Sequence, residues 1–138
     1  EFFGQTPNNF EVTVCDLAEF NSNMVFDRVV LDMLAPWEHV DLAAKVLRPG
    51  GVFISYVATT TQLSKIAEAL KESKKFSEPE SFETLLRPWH HEGLAVRPMH
   101  SMNAHTGFIL ISRRLAQNTE PIRRKRRPSK GYSESEQS

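Results

Sequence analysis

The chain carries a single cysteine, Cys15, in 138 residues. One cysteine excludes an internal disulfide framework and suits a reducing compartment, read here as the cytoplasm. No stretch of about 18 consecutive apolar residues occurs, which excludes a membrane-spanning helix. No charged-then-apolar leader stands at the beginning either, so no secretory signal is read. Net charge is also missing, with 17 Lys+Arg against 17 Asp+Glu. That zero conceals an asymmetry. Residues 1–112 hold 9 Lys/Arg against 14 Asp/Glu, a net of −5, whereas residues 113–138 hold 8 against 3, a net of +5. The pattern is that of an acidic globular body, residues 1–115, with a basic and disordered tail, residues 116–138.

What is present is enough apolar material, 40% of the chain, for one modest domain with a single core. Phe10 to Cys15 alternates apolar and polar residues and reads as a strand ending at Asp16. Phe26 to Met33 reads as a second strand, its continuous apolar run Val29–Leu31 predicting cover on both faces. Pro36 stands where the first turn of a helix tolerates proline, and Val40, Ala43, Ala44 and Leu47 recur at helical spacing. Arg48-Pro49-Gly50-Gly51 ends that helix. Val52 to Val57 is a third strand. Thr59-Thr60-Thr61 supplies helix caps for a stripe of Leu63, Ile66, Ala67 and Leu70 that ends near Lys75. Ser81 to Arg87, Gly93 to Arg97 and Thr106 to Arg113 read as further strands. No helix separates them, so they pair antiparallel. Alternation of strand and helix followed by strands alone predicts an α/β fold with a mostly parallel sheet, closed by an antiparallel strand.

Within this order, Phe26-Asp27-Arg28-Val29-Val30-Leu31-Asp32 delivers a carboxylate at a strand end, followed by the proline-aromatic pair Pro36-Trp37. Ligands of open parallel sheets bind where the strand ends open onto a crevice, so Asp32 is a site candidate. The pattern alone leaves helix capping by Asp32 equally open.

Several spaced segments carry a resemblance. Asp16 and Asp32 at strand ends, the Leu47-Arg48-Pro49-Gly50-Gly51 turn and the terminal strand resemble the back half of a class I S-adenosylmethionine-dependent methyltransferase, with a Rossmann-like sheet and helices on both faces. Leu31-Asp32-Met33-Leu34-Ala35-Pro36-Trp37-Glu38, Tyr56-Val57-Ala58-Thr59-Thr60-Thr61-Gln62, and Arg97-Pro98-Met99-His100 with His105-Thr106-Gly107-Phe108 narrow this. They resemble the bacterial tRNA adenine-58 N1-methyltransferases of the actinobacterial type, over residues 2–115. Three parts of that family's pattern are missing: the glycine-rich turn that cradles the cofactor's methionine part, the ribose-binding acid, and a small N-terminal barrel-like domain. None of the six glycines forms a Gly-x-Gly pattern. The abrupt start at Glu1-Phe2-Phe3 adds to the expectation of a partial sequence.

The resemblance implies S-adenosylmethionine as cofactor, tRNA as substrate and a homotetramer. It implies that Asp32 accepts a hydrogen bond from the target adenine's amine, and that Asp16 and Leu17 hold the adenine of the cofactor, with Asp32 also on the cofactor side. Pro36, Trp37, Tyr56 and His105 are implied as substrate contacts. Each has a plainer reading from the residues alone: a turn aspartate for Asp16, and core packing for Trp37 and Tyr56. The Arg123 to Arg127 cluster either neutralises tRNA phosphates or is a solvated tail. The histidines match no zinc spacing, so no metal is expected. No nucleophile elbow surrounds any serine, which sets aside a hydrolase. A methyltransferase for another RNA or a small molecule, and a non-catalytic RNA-binding subunit, are the competing functions; a nicotinamide oxidoreductase lacks its phosphate turn. Residues 1–138 alone are expected to be insoluble or molten and not to bind the cofactor, because their sheet has open edges.

Overall fold

The computed structural model describes residues 4, 8–102 and 107–122. Its strands are β1 (Phe26–Asp32), β2 (Leu47–Val57), β3 (Glu80–Phe82), β4 (Trp89–Glu92), β5 (Ala95–Pro98) and β6 (Phe108–Arg113). Its α-helices are α1 (Val40–Val46) and α2 (Thr60–Ser73), and short 3-10 turns cover Leu17–Glu19 and Pro36–His39. Among these residues no helix is long and apolar enough to cross a membrane.

Four strands form one sheet in the order β1-β2-β6-β3. β1 and β2 pair in parallel across the α1 crossover, while β6 runs antiparallel to both β2 and β3. Three strands therefore share one direction and β6 alone is reversed, which is the mixed α/β sheet the strand-helix order predicts. β4 and β5 form a separate antiparallel hairpin.

Local chemistry explains the helices. Pro36 fits a first turn because its missing N–H has no intrahelical partner there. Thr59 caps α2 by accepting from the Gln62 N–H at 3.2 Å, and Gln62 reciprocates onto the Thr59 N–H, a capping box. Lys74 ends α2 in the left-handed region. Gly51 sits in the turn after α1, where a Cβ would stand 2.8 Å from the Arg48 carbonyl oxygen. That turn loops out of the parallel ladder: Phe26 pairs with Leu47 while Arg28 pairs with Val52.

The core lies on one face of the sheet. Leu31, Phe53 and Leu110 from the strands meet Val40, Ala43 and Ala44 of α1 and Ile66 and Leu70 of α2, together with Phe76. Phe53 and Phe76 pack edge to face, with ring centroids 5.6 Å apart. Both helices cover this face. Alternation puts Val30, Ile54, Tyr56, Ile109 and Ile111 on the other, which no helix covers among the described residues. Val30 is accordingly 62% exposed.

The structure corrects four expectations. Residues 10–15 are not a strand; Phe10, Val12 and Val14 are exposed, and an extended segment becomes a strand only when a neighbour pairs with it. Cover on both faces of β1 is replaced by cover on one. The strand expected from Ser81 to Arg87 shortens to β3, because β6 pairs only as far as Phe82. Finally, Gly93 turns with positive φ between β4 and β5, so the apolar Ala95-Val96 segment pairs with Trp89–Glu92, a strand its histidines and glutamate concealed.

Candidate active site at the C-terminal edge of the sheet

β1 and β2 run side by side and end together. Asp32, the last residue of β1, is paired in register with Tyr56, next to last in β2. Continuing the alternation from Val30 and Ile54, both stand on the sheet's open face. Asp32 is exposed and Tyr56 half-buried. This is the carboxyl edge of parallel strands, where α/β sheets bind ligands. The sequence anticipated both as residues near strand ends. It gave no sign of what positions the tyrosine. Gly107, buried just before β6, lies so close to the Tyr56 ring that a Cβ there would overlap the ring and its hydroxyl. Only glycine lets the ring occupy this place without displacement.

The loop after β1 is held from several sides. Pro36 is fully buried, so its side chain supports the loop and offers no face to a base, contrary to the contact expected of it. Trp37 is half-buried and packs against the core, and the Lys65 ammonium lies 5.0 Å from its ring centroid. That cation occupies an aromatic face, a favourable contact of about 0.5–1 kcal/mol at an exposed site. Trp37 shares its surface groove with Thr61, Ser64, Lys65 and Glu68, and neither Asp32 nor Tyr56 lines it.

Asp16 precedes β1 in the chain and caps the turn before it. Its carboxylate accepts from the Ala18 N–H at 2.8 Å and so caps the Leu17–Glu19 turn. One oxygen is thereby engaged, and among the described residues no group bonds the other. Leu17 packs partly against the core and borders an apolar hollow with Phe20, Phe26, Leu42 and Val46. A carboxylate acceptor next to an apolar side chain can take the amine edge and the face of an adenine ring.

Two further expectations fall elsewhere. His105 and the Arg123 to Arg127 cluster lie outside the described residues. No group of three or more His, Cys, Asp or Glu side chains that could hold a metal ion occurs among the described ones. One carboxylate is clearly perturbed, away from the site. The Arg48 guanidinium hydrogen-bonds Asp27 and pairs with it electrostatically, holding its carboxyl below the usual range.

This sheet edge lies within the segment that matches a known family. Residues 8–93 match the family model described as "tRNA methyltransferase complex GCD14 subunit". The chain belongs to the GCD14 family. The matched residues include Asp16, Asp32, Trp37 and Tyr56. Among curated relatives, the chain is 34% identical over 88 residues to the tRNA (adenine(57)-N(1)/adenine(58)-N(1))-methyltransferase TrmI of Methanocaldococcus jannaschii, covering 63% of this chain and 31% of that protein. It is 28% identical over 89 residues to the tRNA (adenine(58)-N(1))-methyltransferase TrmI of Thermus thermophilus, covering 64% and 34%. The chain thus spans about a third of the length of the curated relatives it matches.

Solved structures place the GCD14 sheet among methyltransferases. A SAM-dependent O-methyltransferase from Thermotoga maritima superposes with a TM-score of 0.72 at 27% identity, covering 80% of this chain and 41% of that one. The tRNA (m1A58) methyltransferase TrmI of Aquifex aeolicus gives 0.66 at 24% identity, covering 74% and 41%, a likeness that shows the fold. The class I methyltransferase architecture expected from the sequence is therefore the observed one.

Proposed function

We propose that the intact protein is an S-adenosylmethionine-dependent methyltransferase that forms N1-methyladenosine at position 58 of tRNA. The supporting observation is the family match across residues 8–93, which contains a carboxylate and a tyrosine in register at one sheet edge.

When bound, S-adenosylmethionine supplies an electrophilic methyl group carried on a sulfonium. Asp16 and Leu17 are the residues of this chain that would hold its adenine. Adenine N1 already bears a lone pair, so the site needs no strong base to create a nucleophile. The demands are placement and charge. Asp32 accepts a hydrogen bond from the exocyclic amine of the target adenine. That bond orients the ring and stabilises the positive charge growing on the purine. Tyr56, backed by Gly107, gives the base a rigid wall on the same edge. Lys65 takes one face of Trp37, so the tryptophan stays a secondary contact in this reading. His105 is assigned to the substrate side by resemblance alone. The homotetramer and a cytoplasmic location belong to the same proposal, and sedimentation of the intact protein checks the first.

The test is transfer of labelled methyl from S-adenosylmethionine to tRNA lacking the modification. Asp32→Asn should lower kcat by about 100-fold or more, since aligned electrostatic stabilisation contributes on that order. Cofactor binding, read by calorimetry, should change little. Unchanged turnover removes Asp32 from the mechanism. The likeness to an O-methyltransferase favours a second reading, methyl transfer to another acceptor. Label that enters small phenols or catechols, and not tRNA, would establish it.

A further inference from the structure

The two loops that follow the candidate site residues are tied together by one side chain. Gln62 Oε1 accepts from the Ala58 N–H at 3.2 Å, the Thr59 N–H at 3.1 Å and the Thr59 hydroxyl at 3.1 Å. Its Nε2 donates to the Leu34 carbonyl at 3.1 Å. Ala58 lies two residues beyond Tyr56, and Leu34 two residues beyond Asp32. The Leu34 side chain is 83% exposed, so packing does little to hold this residue. The next backbone anchor is the Glu38 N–H donating to the Ala35 carbonyl at 3.2 Å.

We infer that Gln62 is a positioning residue of the candidate site: it clamps the loop after Asp32 to the loop after Tyr56 and so fixes the spacing of the carboxylate and the ring. The inference rests on the reading of Asp32 and Tyr56 as the site. The helix cap alone does not account for a glutamine here. A glutamate at the third helical position accepts the same backbone N–H bonds and complements the helix dipole. Only the amide provides the donor that reaches Leu34 in the other loop.

That difference supplies the experiment. Gln62→Glu in the intact protein retains the cap but sets a carboxylate oxygen against the Leu34 carbonyl. The expected result is a melting temperature near wild type, faster amide hydrogen exchange across residues 33–38, and kcat lower by about 10- to 100-fold, since misplacement of about 1 Å costs on that order. KM for tRNA should move little. Ala67→Gly, inside α2, is the control: it weakens the helix without removing any bond of Gln62, lowers the melting temperature and leaves both exchange at 33–38 and kcat at wild-type values. If Gln62→Glu does not fold, Gln62→Met is compared with Ala67→Gly, since both weaken α2 and only the first loses the clamp. Unchanged exchange at 33–38 overturns the clamp. Raised exchange with wild-type kcat overturns its positioning role, as does an equal loss of kcat in Ala67→Gly. Absence of any methyl transfer by wild type overturns the functional reading instead, and the exchange measurement then decides the clamp alone.

Discussion

The two faces of the sheet are built from similar residues and arrive at opposite states. On one face Phe53, Leu31 and Leu110 are buried under α1 and α2, and even the hydroxyl of Ser55 is sealed with no hydrogen-bond partner among the described residues. On the other, Val30, Ile54, Ile109 and Ile111 form a comparable apolar row that stays partly or largely exposed. The strands alternate, so a single stretch such as Val29-Val30-Leu31 contributes to both. Apolar content therefore says how much surface a strand can bury, while the helices that follow it decide which side is buried first. The candidate site belongs to the uncovered side, where Asp32 and Tyr56 remain accessible.

Substitutions on the two faces sharpen or break this contrast. The largest effect is expected from Phe53→Ala, which empties a wholly buried ring site and should cost about 3–5 kcal/mol in denaturant unfolding of the intact protein. A cost under about 1 kcal/mol would mean that the covered face is not the core. Next comes Gly107→Ala, whose methyl overlaps Tyr56. Overpacking of this kind costs about 1–3 kcal/mol, and Tyr56→Val in the same chain should recover most of it. If the double variant is no better than additive, the tyrosine is not what requires the glycine. Val30→Ser, on the open face, should change stability by about 0.5 kcal/mol or less. A loss as large as that of Phe53→Ala would show that this face is covered in the intact protein and would end the contrast.

The smallest effect concerns the rim, where Asp27 pairs with Arg48. Its carboxyl is held below the usual range in the folded protein, first by the hydrogen bond from Arg48 and then by its charge. The contribution to stability is therefore present above the unfolded-state carboxylate pKa and is lost as pH falls through the lower folded value. Thermal melts of wild type and Asp27→Asn should differ slightly at neutral pH and converge in acid. Because the pair is exposed, added salt should shrink the difference.

Much of the fold was legible because it is encoded locally. The Val29–Leu31 run, the proline at a helix start, the Thr59 cap and the spacing of Ile66 and Leu70 each act within a few residues, and each element appeared where those signals stood. Asp32 and Tyr56 were legible as strand-end residues for the same reason. What could not be read depends on partners distant in sequence. Residues 10–15 have strand-like alternation but no neighbour to pair with among the described residues. The contact of Tyr56 with Gly107 and the reach of Gln62 to Leu34 arise only once separate segments are brought together. Pro36 was expected among the substrate contacts by resemblance, yet its side chain is fully buried, which no local signal in the sequence reveals.

The sheet order β1-β2-β6-β3 also governs how the molecule can be made. β6, which follows β2 and β3 in the chain, sits between them, so those two strands lack this hydrogen-bonding neighbour on their facing edges until Arg113 has left the ribosome. A nascent chain that stalls or is cut before Phe108 would present those edges to other chains, which favours aggregation over partial folding. Nonsense mutations within β6 should therefore be as damaging to protein abundance as deletions of the core.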